Sequence, residues 1–199
     1  HLPFNSDVKD KNESFTTSVH GKPRFTAGLV QSAIRLRSSD ANSYLSLPIG
    51  KPKIDQRNDF SVQFWVRTTM AADQKAVLIS TKRMDDYGLS SQKQKGWAFL
   101  FSNGTWGWNL GSGNRRITYE RTNGEYFPIN DGRWHQLAMT YDSKRGLVRL
   151  YWDGKNWVTY NIQDSRRIEF ANGSPLTVGW NGHSVSQNPW ELPVFVAGA

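Results

Sequence analysis

The residues that could do chemistry in this chain are few and widely spaced. Five glutamates stand at positions 13, 120, 125, 169 and 191, and none has an aspartate two residues away. Hydrolysis of a glycosidic bond needs two carboxyls held across a sugar, about 5–10 Å apart. The four histidines, at 1, 20, 135 and 183, form no His-x-x-x-His pair for zinc. No Gly-x-Ser-x-Gly run offers a nucleophile elbow, and no glycine-rich phosphate loop is present. The lack of cysteine removes thiol nucleophiles, thiolate metal sites and disulfides. These observations point to a protein that is not an enzyme.

Binding chemistry is better represented. Nine Trp and seven Tyr in 199 residues are more than one core usually demands. The stretch Trp106-Gly-Trp-Asn-Leu-Gly-Ser-Gly-Asn-Arg-Arg116 combines indole faces that stack on the C–H faces of sugars, amides at Asn109 and Asn114, and two guanidinium donors at Arg115 and Arg116 suited to a carboxylate or sulfate. Tyr87, beside Asp86, and Trp180, beside Asn181, would join this set at a loop rim. Trp106 and Trp108 share one strand face, so both enter the core or both face outward. The candidate ligand residues are therefore Tyr87, Trp106, Trp108, Asn109, Asn114, Arg115, Arg116, Trp180 and Asn181.

Twenty-five Lys and Arg against seventeen Asp and Glu give a net charge of +8 and a pI near 9.8. The basic residues are scattered, with adjacent pairs only at Lys82-Arg83, Arg115-Arg116, Lys144-Arg145 and Arg166-Arg167. Such scatter fits a solvated surface or an acidic glycan partner and argues against nucleic acid. No stretch approaches the roughly 20 apolar residues of a membrane helix, so membrane insertion is not expected.

The elements that must carry these residues alternate with a period of two. Phe60–Val66 places Phe60, Val62, Phe64 and Val66 on one face. Trp97–Phe101, Trp106–Leu110, Trp134–Tyr141, Leu147–Trp152, Trp157–Ile162 and Leu176–Trp180 read as further strands, with two shorter ones at Ala33–Arg37 and Tyr44–Leu47. Turn signals separate them: Ser102-Asn-Gly104, Asn123-Gly124, Asn130-Asp-Gly132, Ser143-Lys-Arg-Gly146, Asp153-Gly154 and Asn172-Gly-Ser-Pro175. No segment of twelve residues carries a helical period. The expected fold class is all-β, an antiparallel two-sheet sandwich. Trp134 and His135 open a strand on opposite faces, so only one of them points into the core. Residues 1–24 read as a polar N-terminal arm.

The segment Asp131-Gly-Arg-Trp-His-Gln-Leu-Ala-Met-Thr-Tyr-Asp142, followed by Gly146-Leu-Val-Arg-Leu-Tyr-Trp-Asp-Gly154, resembles the laminin G-like and pentraxin branch of the concanavalin A-like jelly rolls. That pattern is a polar turn, Trp-His, a strand, an acidic turn, a strand and Asp-Gly. Phe60–Val66 resembles the family's early core strand and Pro175-Leu-Thr-Val-Gly179 its late Gly-ended strand. The resemblance spans about residues 28–182 and implies a jelly-roll sandwich over residues 25–199.

Further expectations follow from the resemblance. Ser80-Thr-Lys-Arg-Met-Asp-Asp86 resembles the pentraxin segment that supplies neighbouring ligands to calcium, which would make Asp85 and Asp86 the metal residues here. Where the pentraxins carry their other acids this chain has Asn181 and His183, so a solvated acidic loop is the alternative, and Asp40 with Asn42 is another place for a cation. The laminarinase-like glycosidases of this fold carry a Glu-x-Asp-x-(x)-Glu strand, which this chain lacks. The resemblance thus implies a non-catalytic carbohydrate-binding module that is secreted, periplasmic or at the cell surface, and the basic charge with Arg115 and Arg116 points to acidic glycans. The alternative is a ligand-free accessory or scaffold domain covalently linked to a glycan-processing catalytic domain. The C-terminal Pro189–Ala199 stretch departs from the family's closing strand, and the chain is expected to be a piece of a longer multidomain protein.

Overall fold

The structure is a computed structural model that describes residues 2, 4, 7–36, 43–48, 54–85, 87–120, 127–162 and 168–180. Thirteen strands and one short helix occur among the described residues. Seven strands form one antiparallel sheet, in the order β1 (Ser18–His20), β4 (Tyr44–Leu47), β13 (Leu176–Val178), β6 (Lys75–Ser80), β7 (Gly96–Ser102), β8 (Thr105–Gly111), β9 (Arg116–Tyr119). Four form the second, in the order β12 (Lys155–Asn161), β11 (Leu147–Trp152), β10 (His135–Asp142), β5 (Phe60–Val66). A separate hairpin pairs β2 (Arg24–Ala27) with β3 (Ser32–Arg35). The helix, α1, covers only Leu89–Lys93.

The period-two pattern explains which faces meet. In β5, Phe60, Val62, Phe64 and Val66 are buried while the residues between them are half-buried. In β10 the same alternation buries Leu137, Met139 and Tyr141. The opposing sheet presents Trp97, Phe99 and Phe101 from β7 and Trp106, Trp108 and Leu110 from β8, all in one continuous core. Rings lock the two layers. Phe64 meets Phe99 edge-on at 5.2 Å, Trp108 stacks over Tyr160 at 5.9 Å, and the Trp108 indole N–H donates to Met139 Sδ at 3.2 Å. Aromatic pairs in such offset and edge geometries add to area burial.

Two hairpins show why Asn-Gly and Asp-Gly were the right turn signals. Asn103 and Gly104 take φ of 55° and 76°, and Asp153 and Gly154 take 46° and 77°. Positive φ at both central residues is the mirror-image turn whose twist matches the flanking strands.

His135 takes the inward side of β10 and is buried. Trp134 remains half-buried, with the Arg67 guanidinium 4.8 Å above its ring, a cation–π contact.

Candidate functional site

The chain between Thr81 and Lys95 leaves β6 and crosses the outward face of the seven-stranded sheet. Met84 packs there with Val77, Ala98 and Leu100, and Tyr87 closes against them. The central strands β7 and β8 are consequently buried on both faces. Gly111 permits this close approach. A Cβ there would lie 2.6 Å from the Gln92 carbonyl oxygen and would also strike the Gln94 carbonyl.

Lys82 is the pin of this arrangement. Its ammonium is buried and donates to the Gln92 carbonyl at 2.8 Å, to the Gln94 carbonyl at 3.2 Å, and to Asn109 Oδ1. The two carbonyls belong to the C-terminal end of α1, where backbone oxygens lack helical partners and a cation is favoured. Burial pushes the Lys82 amine down to about 7. The Gly113 amide satisfies the next carbonyl, donating to Lys93 O at 2.7 Å.

Polar side chains continue the network outward. Asn109 Nδ2 donates to Thr118 Oγ1 at 3.0 Å, and Arg116 Nη1 donates to the same oxygen at 3.1 Å. Arg116 also donates to Gln92 Oε1, and Gln92 Nε2 donates to the Tyr87 carbonyl at 2.9 Å. Tyr87, Asn109 and Arg116, three of the residues singled out from the sequence, are thereby joined in one group.

At its outer edge the group is bordered by exposed charged side chains. Asn114, Arg115 and Arg116 are exposed at the β8–β9 hairpin. The Lys93 carbonyl bond to Gly113 brings the end of α1 against the same hairpin, and the stem of Lys95 runs 3.8 Å from where a Gly113 Cβ would stand. Lys95 reaches Glu169 at 3.8 Å with both groups exposed, and Arg83 meets Asp85 at 3.3 Å. Lys93, Lys95, Arg115 and Arg116 are all exposed on the two segments that meet here, and Glu120 Oε1 stands 3.5 Å from Gln92 Nε2 in the same group. Sequence reading missed Lys93 and Lys95, because only the packing of α1 on β8 brings them there. The run Gly111-Ser-Gly113 was the available signal, and at Gly111 the glycine serves close approach to α1 rather than a positive φ.

Other expected site residues fall elsewhere. Trp106 and Trp108 are in the core, each almost fully buried, and so are not rim residues as expected. Strand alternation sets them opposite the four-stranded sheet, where two large indoles fill the space. Asn109 is likewise buried and acts within the network. Trp180 stacks on Tyr44 at 4.7 Å, and Tyr44 on His20 at 4.0 Å, along the β13–β4–β1 side of the sheet. Asp85 is exposed. Asp86, Asn181, Asp40, Asn42 and His183 lie outside the described residues. Among the described residues no three His, Asp or Glu side chains converge as a metal site.

The Trp-His signature forms a second polar cluster. His135 Nδ1 lies 2.9 Å from Asp153 Oδ2, and Nε2 lies 3.1 Å from Asp131 Oδ1. Asp153 Oδ1 accepts the Gln136 amide at 2.7 Å. The imidazole stacks over Trp152 at 5.6 Å. Burial is the largest single influence on Asp131 and opposes its charge. The Arg133 amide, the His135 ring and the Arg133 guanidinium together outweigh it and hold the carboxyl below its ordinary value of 3.8. The cluster fastens the β10–β11 hairpin.

Residues 39–191 match the Laminin_G_3 family of the concanavalin A-like lectin/glucanases superfamily. The chain belongs to that family. Similar solved structures include the binding domain of Paraclostridial Mosquitocidal Protein 1, with a TM-score of 0.72 and 18% identity over 96% of this chain and 45% of the other. Another is botulinum neurotoxin type C, whose passage into cells depends on interaction with two ganglioside molecules (TM-score 0.67, 12% identity, 99% and 45% covered). Domains LG4-5 of the mouse laminin alpha1 chain align with a TM-score of 0.57 and 17% identity over 90% of this chain and 43% of theirs. The chain thus spans less than half the length of these structures, and at such identities the likeness is one of fold. No curated protein matches the chain in sequence.

Proposed function

We propose that this chain is a non-catalytic binding module for acidic glycans, acting outside the cytoplasm, at the cell surface, in the periplasm or as a secreted protein. The observation that carries the reading is the backbone bond that joins the end of α1 to the β8–β9 hairpin, which brings the segment of the exposed Lys93 and Lys95 against that of the exposed Asn114, Arg115 and Arg116. Guanidinium and ammonium groups at a rim hold carboxylates and sulfates through charge-assisted hydrogen bonds, and amides select among hydroxyls. Membership of a lectin-containing superfamily and structural neighbours that are binding domains both support it.

The testing experiment is an array of neutral, uronic and sulfated glycans probed with the 199-residue chain, with and without a calcium chelator. Retention on sulfated or uronic glycans that weakens with salt is the expected result. A flat array would overturn the reading. Loss of binding on chelation would add a calcium ion held at Asp85 and Asp86; survival would leave the cations as the whole mechanism.

The burial of Trp106 and Trp108 favours a second reading, an accessory domain attached to a glycan-processing enzyme and without a ligand of its own. A flat array would be its first support.

A further inference from the structure

Six large hydrophobic side chains are exposed among the described residues, and four of them, Val19, Phe25, Leu29 and Val30, lie within twelve residues of one another. Val30 is 64% exposed and Leu29 45%. These two occupy the tip of the β2–β3 hairpin, inside a turn closed by the Gly28 amide donating to the Gln31 carbonyl at 3.0 Å. Tight turns are ordinarily built from Gly, Asn, Asp, Ser and Pro. A Leu-Val pair there does nothing for the turn and leaves its apolar surface in water. A local rule broken at an exposed position, without a packing return, marks a site kept for something else.

The tip is firmly set. Gln31 holds a positive φ of 60°, and a Cβ on Gly28 would lie 2.5 Å from the Ser32 carbonyl oxygen, so the strands cross too closely at that point for any other residue. Ile34, paired with Phe25, is fully buried and anchors the hairpin to the core. The charge of the sequence flanking the tip has one sign. From Ser14 to Ser39 the sequence contains no acidic residue, while Lys22, Arg24, Arg35 and Arg37 are basic. Arg24 and Arg35 stand opposite each other at the base of the hairpin.

We propose that the Leu29–Val30 tip is a lipid-docking point that enters the headgroup region of an anionic membrane, with the basic residues at its base against the lipid phosphates. Apolar side chains that dip into the interface, together with a basic surround, give reversible attachment that neither supplies alone. In this mode the tip alone enters the bilayer.

The test is co-sedimentation of the 199-residue chain with phosphatidylcholine vesicles and with vesicles carrying about one third phosphatidylserine. The chain is expected to bind the anionic vesicles, to release in high salt, and to ignore the neutral ones. The charge-neutral variant L29S/V30N places turn-compatible residues at the tip and should fold with an unchanged circular dichroism spectrum and melting temperature. It should lose vesicle binding by roughly tenfold or more, as expected for two apolar side chains withdrawn from lipid, while its behaviour on the glycan array stays that of the parent. Vesicle binding that persists in the variant would assign attachment to the general positive charge and sink the proposal. A parent chain that binds no vesicles would do the same, leaving the tip to a protein partner or to another part of a longer polypeptide.

Discussion

The Lys82 ammonium donates to the side-chain carbonyl of Asn109, twenty-seven positions away, and this bond ties the α1 segment to the outward face of β8. One buried charge thus holds three neutral oxygens from two parts of the chain. Replacing Lys82 by Met keeps the stem and removes the donor. It leaves Gln92 O, Gln94 O and Asn109 Oδ1 short of partners, a loss of about 1–3 kcal/mol. Denaturant unfolding above about pH 10.5, where the amine is neutral in both states, would show a lower midpoint.

The same amine gives a pH signature. Unfolded, it titrates at its ordinary 10.5; folded, burial brings it to about 7. Between those values the unfolded chain holds more proton, so the contribution of Lys82 to stability rises with pH from about 7 to about 10.5 and is level on either side. The difference in unfolding free energy between the parent and Lys82→Met should grow in favour of the parent as pH climbs through that window. A difference independent of pH would show that the amine keeps its ordinary affinity for protons when folded.

Strands with one buried face were legible in advance, and for a physical reason. Phe60–Val66 and Leu147–Trp152 have the bounds their alternation gave them, because each has one apolar and one wetter face. β6 is an unbroken apolar run, Ala76 to Ile79, buried on both sides, so no period announced it. α1 is five residues long and too short to show a helical period. The candidate site was only half legible. Arg115, Arg116 and Asn114 lie next to each other in sequence, but Lys93 and Lys95 reach them only through a helix that lies on β8. For Trp106 and Trp108 alternation fixes that the two share a side without saying which side faces the core, so core and rim both stayed open.

For Trp108, substitution by Ala should cost about 3–5 kcal/mol, the usual effect of emptying an aromatic site in a packed interior. At about 2–4 °C per kcal/mol for a chain of this size, calorimetry would record the change easily. Glycan retention per folded molecule should stay unaltered; a selective loss of binding by a fully folded Trp108 variant would return the indole to the ligand.

Arg115 is exposed and can be changed without harm to the core. Arg115→Ala should weaken retention on sulfated glycans by about tenfold at low salt, the worth of one charge-assisted hydrogen bond. Pairing it with Lys93→Ala should flatten the dependence of binding on salt, since fewer screened contacts remain. Affinity chromatography across a salt gradient measures both effects.

Asp131 predicts a change on the acid side. Its carboxyl titrates below 3.8 when folded, so it stabilises the chain above that value and the contribution disappears as pH falls through the lower folded value. Asp131→Asn should make acid unfolding less steep in that region while leaving neutral-pH glycan binding alone. Acid titration followed by tryptophan fluorescence would detect it.

β1 forms the outer border of the seven-stranded sheet and satisfies one side of β4 through Ser18, Val19 and His20. Any recombinant fragment begun after this point, at Arg24 for instance, would strip that cover and leave Tyr44 to Ser46 with unanswered backbone groups. Two such fragments could join through their bared β4 strands, so a start before Ser18 favours single copies and a start after His20 favours edge-paired ones.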